Sequence, residues 1–250
     1  MEEERMARIK RILGEADHIL LGIGEAMSVL PKGNSDTSVY QSILELEKSN
    51  DRSANIMEAY HTLYELVKDR PYFVVTMNTD DLIYESGFAR EQIVAPCGSV
   101  HMLQCRQHIL EPFETEPVYE QLRIHLKSGG TAEDEEGRRI LSCPVCGGLL
   151  RPNTAETDGY LEDAYLPQWK VYTNWLGRTL NRKLCVLELG VSFAHPSVIR
   201  FPFEKTVFYN KKAMLVRVNE RFCQIPEEIK EKGIAVQADA AEFVLELKED

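Results

Sequence analysis

No stretch of the sequence approaches the roughly 20 consecutive apolar residues needed to cross a bilayer, so no membrane-spanning helix is expected. Basic residues are in the minority: 29 Lys and Arg stand against 40 Asp and Glu, a formal net charge of -11. Such a surface repels phosphate backbones and anionic lipid, and neither nucleic acid nor a membrane is expected as a partner. The opening segment, MEEERMARIKRILGEADHILLGIG, lacks the basic start followed directly by an apolar run that a signal peptide needs, and a cytoplasmic protein is expected. Internal repeats and long low-complexity tracts are missing. Cysteine is sparse and unevenly placed, at Cys97, Cys105, Cys143, Cys146, Cys185 and Cys223. In a reducing compartment a scatter with one close C-x-x-C pair reads as metal binding or redox chemistry before disulfides. Cys185 (KLCVLELG) and Cys223 (ERFCQIP) lie in apolar surroundings and read as plain core residues.

What is present suffices for a full core. A chain of 250 residues with 44% apolar content accommodates one large domain, or one domain with a smaller insert. EERMARIKRILGEA and NIMEAYHTLYELVKDR carry apolar residues at helical spacing, and HILLGIG, YFVVTMN, KLCVLELG and AMLVRVNE are apolar runs of strand length. A last helix is read in AAEFVLELKE. Strand and helix in turn predict an α/β fold, a Rossmann-like doubly wound parallel sheet. Residues 101–155 break the rhythm, with a Cys/His cluster, the acidic and Gly-rich SGGTAEDEEGRR, and no long apolar run. A segment that cannot build its own core commonly needs a metal to fold. The expected organisation is therefore a sheet domain of residues 1–100 and 156–250 with a small zinc-binding module at 101–155 between them.

In CPVCGG, Cys143 and Cys146 form a knuckle spacing that turns two thiolates toward one ion, and CRQH repeats the gap with Cys105 and His108. Together they supply a closed tetrahedral site, structural rather than catalytic, with His101 as an alternative to His108. In LLGIGEAMS, a strand ending in Gly22 and Gly24 can bring backbone close to a pyrophosphate, although Glu25 opposes an anion there. In VVTMNTDDL, Asn78 and Asp80 follow an apolar strand, where an amide and a carboxylate can hold a ribose and a carboxamide.

The order of these motifs, with the GS after Cys97, CPVCGGLLRP, LGVS followed by a proline, and a final strand ending in VN, resembles the sirtuin family over nearly the whole chain. The resemblance implies NAD as co-substrate and structural zinc. It matches Gly22 and Gly24 to the first NAD loop, Asn78 and Asp80 to the nicotinamide side, and Gly190 and Ser192 to a phosphate-binding turn. Asn219 matches an adenosine-ribose contact, and Val236 falls near the adenine end. Several positions depart from the family: Met77 stands for Gln, Asp81 for Gly and Ile83 for His, and the Asp-Phe-Arg run is missing from SVLPKGNSDTSVY. The stretch that would line an acyl-lysine tunnel reads NTAETDGYLEDAYLPQW.

The largest departure is Cys97, at the family's catalytic histidine. That imidazole takes a proton from ribose during deacylation, a task poorly suited to a thiol, which is mostly protonated at neutral pH. Loss of nicotinamide from NAD, by contrast, needs positioning and electrostatic help more than a base. The expected activity is transfer of ADP-ribose from NAD to a protein acceptor, with Asn78, Asp80 and Cys97 as candidate catalytic residues. The alternatives are a protein-lysine deacylase, with Cys97 or His101 as base, and a non-catalytic binder of NAD or ADP-ribose.

Overall fold

The computed structural model describes residues 2–30 and 50–248. Most of SVLPKGNSDTSVY therefore lies outside the described residues, and with it the expectation about the missing Asp-Phe-Arg run. Helix α1 (Glu2–Glu15) leads into β1 (His18–Ile23), and α2 (Asn50–Val67) into β2 (Tyr72–Thr76) and the short β3 (Ile93–Val94). The second half contributes α5 (Leu166–Arg178), β7 (Leu184–Leu189), α6 (Arg200–Tyr209), β8 (Ala213–Val218), β9 (Gly233–Val236) and α7 (Ala240–Glu246). The six strands pair in parallel in the order β3-β2-β1-β7-β8-β9. From the centre, β1, β2 and β3 extend the sheet to one side and β7, β8 and β9 to the other, so the order of succession reverses between β1 and β7. The strand ending in VN, β8, is followed by one more strand, β9, and is not the last.

Both faces of the sheet are covered, which is why its strands read as continuous apolar runs. Successive side chains alternate between faces. Ile19, Leu21 and Ile23 of β1 pack with Leu13 of α1, Tyr60 and Leu63 of α2, and Phe243 of α7. Leu20 points the other way, into a layer with Phe73, Tyr172 of α5 and Phe203 of α6. Each such fully buried Leu, Ile or Phe stabilises the fold by roughly 1.5–3 kcal/mol.

Between the halves of the large sheet, β4 (Gly98–Gln104), β5 (Ile109–Leu110) and β6 (Arg151–Thr154) form a three-stranded antiparallel sheet, with α3 (Pro112–Lys127) and α4 (Glu135–Ile140) beside it. The expectation that this stretch cannot build a core needs correction. Leu103, Leu110, Tyr119, Leu122, Ile140, Leu141 and Leu150 form a small buried cluster, and Cys105 and Cys143 belong to it. Its apolar residues are scattered along the sequence and meet only through the β4-β6 pairing and the return of α3. Among the described residues no helix is long and apolar enough to cross a membrane.

Candidate functional site

The carboxyl ends of the parallel strands converge where the strand order reverses, the place where open α/β sheets bind ligands. Two turns meet there. Gly24, after β1, donates its N–H to Leu189 C=O (2.8 Å), and Ala26 donates to Gly190 C=O (3.2 Å). A Cβ on Gly24 would lie 2.3 Å from Val191 Cα, so only glycine permits this approach. Gly190 has φ +66°, in the left-handed region that glycine enters without penalty, and a Cβ there would strike Ala26. Gly22 sits lower in β1, where a Cβ would collide with Phe203 and Ile199, so its smallness serves the packing of α6.

Ser192 and Glu25 face each other across this junction. The Ser192 N–H and hydroxyl both donate to the Glu25 carboxylate, at 3.2 and 2.8 Å. The turn's anion-receiving donors thus already hold an anion, one supplied by the chain itself. Asn219, at the end of β8, is buried; its Nδ2 donates to Val191 C=O (2.9 Å), while its Oδ1 accepts from Arg221 N and Phe222 N (both 2.9 Å). Its side chain therefore shapes the 219–222 loop and ties it to the Gly190 turn. Val236 ends β9, and its carbonyl accepts from Asn219 N (3.1 Å) while its side chain is in the core.

Asn78 follows β2 and is 4% exposed. Its Nδ2 donates to the Tyr60 hydroxyl (3.0 Å), which donates to Met27 C=O (2.7 Å). Because the tyrosine's proton is spent on that carbonyl, the amide orientation is fixed, and Oδ1 is left as a buried acceptor with no partner. A free buried acceptor is costly unless a ligand's donor meets it. Asp80 is engaged internally: it accepts from Ser28 Oγ (2.6 Å), Val29 N (3.0 Å) and Leu82 N (3.2 Å), clasping the loop after β1 to its own turn. Burial raises its pKa despite those bonds.

Cys97 is 3% exposed, packed in the layer with Val75, Met77 and Val94. Burial, with Glu25 and Glu156 adding repulsion, pushes its thiol up to about 12. Its carbonyl accepts from Ala155 N (2.9 Å), at the exit of β6. The sulfur is a protonated thiol throughout the neutral range.

The second cluster lies in the small sheet. Ligand atoms of Cys105, His108, Cys143 and Cys146 all fall within 4.8 Å of one another. Zinc bonds of 2.3 Å place tetrahedral sulfurs roughly 3.8 Å apart, and Cys105 Sγ is 3.6 Å from Cys146 Sγ and 3.1 Å from His108 Nδ1. Each ligand pair sits on its own tight turn: Cys105 N–H donates to His108 C=O (2.9 Å), and Gly147 N–H to Cys143 C=O (2.8 Å). His101, the alternative ligand, instead places its ring against Tyr119, 6.4 Å between centroids. Three thiolates and an imidazole in this arrangement suit a closed zinc site.

No family model matches the chain. A protein ADP-ribosyltransferase of Staphylococcus aureus (strain Mu50 / ATCC 700699) is 22% identical over 193 residues, covering 75% of this chain and 59% of the relative. A probable bifunctional ADP-ribose hydrolase/ADP-ribosyltransferase of Fusarium oxysporum f. sp. cubense is 29% identical over 178 residues, covering 67% of this chain and 29% of the relative. This chain thus matches about three-fifths of the first relative and under a third of the second. Among solved structures, a Sir2 homologue in complex with NAD superposes with a TM-score of 0.59 at 15% identity, covering 96% of this chain and 91% of the other. The chain has the sirtuin fold.

Within the sirtuin fold, three departures acquire physical reasons. Met77 and Ile83 are buried in the two apolar layers on opposite faces of the sheet, so the positions expected to be Gln and His are core positions here. Asp81 has φ +60°, a backbone conformation that suits the glycine expected at this place and is tolerated by Asp. Its Oδ2 accepts from Ser99 Oγ (2.6 Å), and Thr79 C=O accepts from Val100 N (2.8 Å), tying the β2 turn to β4 of the small sheet.

Sequence reasoning missed a buried ionic group beneath this edge. Glu188 and Arg217 are register partners on β7 and β8, with Arg217 Nε 2.8 Å from the carboxylate, and Arg217 also reaches Glu204 of α6 (2.8 Å). Arg200 is 3.5 Å from Glu188, donates to Phe222 C=O (2.9 Å) and lies over the Phe193 ring at 4.1 Å. The group therefore braces the loops that carry Ser192 and Asn219. The available signal was a lone charge in each of two apolar strands, two residues before Gly190 and before Asn219.

Proposed function

We propose that this chain transfers ADP-ribose from NAD to a protein acceptor with release of nicotinamide. The observation that carries the reading is the contrast between Asn78 and Cys97. Asn78 keeps a fixed, unpartnered buried acceptor suited to an amide donor such as the nicotinamide carboxamide, while Cys97 is a buried thiol that cannot take a proton near neutral pH. Cleavage of the glycosidic bond is thereby supported and ribose-assisted deacylation is not. The two relatives matched by sequence are named for the same transfer. In this reading Gly24, Gly190 and Ser192 receive the pyrophosphate, and Asn219 and Val236 border the adenosine. Asp80 positions the loop over the nicotinamide ribose. Zinc held by Cys105, His108, Cys143 and Cys146 maintains the small module and takes no part in the chemistry. Free thiols in all six cysteines fit a reducing, cytoplasmic setting.

The Glu25–Ser192 contact supports a second reading, a protein that binds ADP-ribose or NAD without turnover. Nicotinamide release and label transfer from NAD to proteins separate the two. The parent is expected to do both, and Asn78→Ala to lower release on the order of a hundredfold, the usual loss for one electrostatic contact to a transition state. NAD binding without release would establish the binder. Deacylation of an acyl-lysine peptide, lost with Cys97→Ala, would overturn both readings.

A further inference from the structure

The residues assigned above to NAD act on the bond to be broken, and none of them has been assigned to the incoming nucleophile. A histidine and a carboxylate outside the expected motifs meet at its mouth. His195 Nε2 lies 2.9 Å from Glu156 Oε1. The two come from different sheets: Glu156 follows β6 of the small sheet, and His195 follows β7 of the large one. Both are anchored to the site. Ala155, next to Glu156, donates its N–H to the Cys97 carbonyl (2.9 Å), while Ala194, next to His195, donates its N–H to Ser192 Oγ (3.0 Å). Ser192 in turn holds Glu25. The two carboxylates that hold Ser192 and His195, Glu25 and Glu156, both lie near enough for their charges to reach the Cys97 thiol.

The chemistry of the pair follows from its geometry. A carboxylate only accepts, so Nε2 carries the proton and Nδ1 is the acceptor nitrogen of the neutral ring. A base held by a third group within hydrogen-bond reach is the arrangement that activates nucleophiles. We propose that His195, oriented by Glu156, accepts the proton of the nucleophile that captures ADP-ribose, from a different loop than the one Cys97 occupies. The inference rests on the transferase reading above. The C–N glycosidic bond of NAD breaks with its electron pair leaving on nicotinamide. A hydroxyl oxygen of the acceptor forms the new C–O bond, and its proton passes to His195 Nδ1. Glu156 balances the imidazolium, which returns the proton to water. The class of acceptor implied is one with a proton to lose, a hydroxyl-bearing side chain, since a carboxylate acceptor needs no base. The charged groups facing His195 are Glu156 directly, Glu25 through Ser192, and Arg200 beyond Phe193.

The test uses the intact protein with NAD and either water or methanol as nucleophile, together with histidine NMR of the NAD-free protein. His195→Gln is expected to lower kcat for transfer of ADP-ribose to methanol on the order of a hundredfold, within the range of general-base catalysis, and to leave KM for NAD within about twofold. Glu156→Ala should give a smaller loss in kcat and, without NAD present, shift the His195 ring nitrogen signals away from the Nε2-protonated tautomer. If His195→Gln keeps the parent kcat, or raises KM in step with any loss, the pair only binds and the inference is overturned. Ring nitrogen signals unmoved by Glu156→Ala overturn the orienting role. A parent that releases no nicotinamide overturns the transferase reading and this inference together, whereas an active parent with an equally active His195→Gln overturns this inference alone.

Discussion

Cys97 and Cys143 are almost equally buried, at 3% and 2% exposure, but their sulfurs face different company. Cys143 belongs to a set of four side chains whose donor atoms lie within 4.8 Å of one another, on paired tight turns. Cys97 packs among aliphatic side chains with two carboxylates near enough to repel a thiolate, and its pKa rises to about 12. Burial disfavours the thiolate in both places. What separates them is whether a compensating positive charge can be bound, and only the first group is built to bind one. The same residue type thus joins a cluster fit to hold a metal in the small sheet and packs as a core residue in the large one.

The comparison is sharpest where metal is withheld. Structural zinc contributes roughly 10 kcal/mol or more to the folding of small peptides, so Cys143→Ser, or treatment with a chelator, should melt the small sheet. Amide exchange should then accelerate through residues 98–154 while β1 and β7 keep their protection. Purified protein without zinc, or an unchanged melting temperature in the variant, would remove the metal assignment and with it the contrast. Next in size are the contacts proposed for adenosine and phosphate. Asn219→Ala and Ser192→Ala should each weaken NAD by about 1–2 kcal/mol, read by calorimetry; undiminished affinity in both would place NAD elsewhere. Glu25→Gln works in the opposite direction. It removes the internal anion from the Ser192 donors, so NAD should bind a few-fold tighter, with the gain shrinking as salt screens the repulsion. Weaker binding would make Glu25 a contact rather than a competitor. The smallest effect belongs to Cys97→Ala: NAD cleavage should hold near the parent rate, with about 1 kcal/mol of stability lost to the vacated volume. A large fall in cleavage would return the thiol to the chemistry.

Much of the large sheet could be read in the sequence. β1, β2, β7 and β8 are buried on both faces, so each is an apolar run that no exposed element imitates, and α1, α2 and α7 show their stripes. α6 was missed because RFPFEKTVFY carries Phe201, Phe208 and Tyr209 on its exposed side and Arg200 on its buried one, with Pro202 in its first turn, so no period stands out. α3 did carry a signal, Val118, Tyr119, Leu122 and Leu126 at helical spacing, but its acidic start and Pro117 hid it. In the site, the candidate metal ligands could be read because each pair is local. The engagement of Glu25 by Ser192 spans 167 residues, and that of His195 by Glu156 spans 39. No local spacing announces such contacts, although the oddity of Glu25 beside an expected phosphate loop did mark the position.

The pairing of Glu188 with Arg217 has a consequence for how this chain can change over generations. Removing one member of a buried ion pair strands the other and typically costs about 3–5 kcal/mol, a large share of a domain's stability, whereas replacing both with apolar residues of similar volume is often neutral. The two positions are therefore epistatic: each substitution alone is deleterious and the pair together is tolerable. Because Glu204 and Arg200 share the same charges, the dependence extends across four positions on three elements. Among descendants of this sequence, these four should be kept together or exchanged together, and intermediate combinations should be rare.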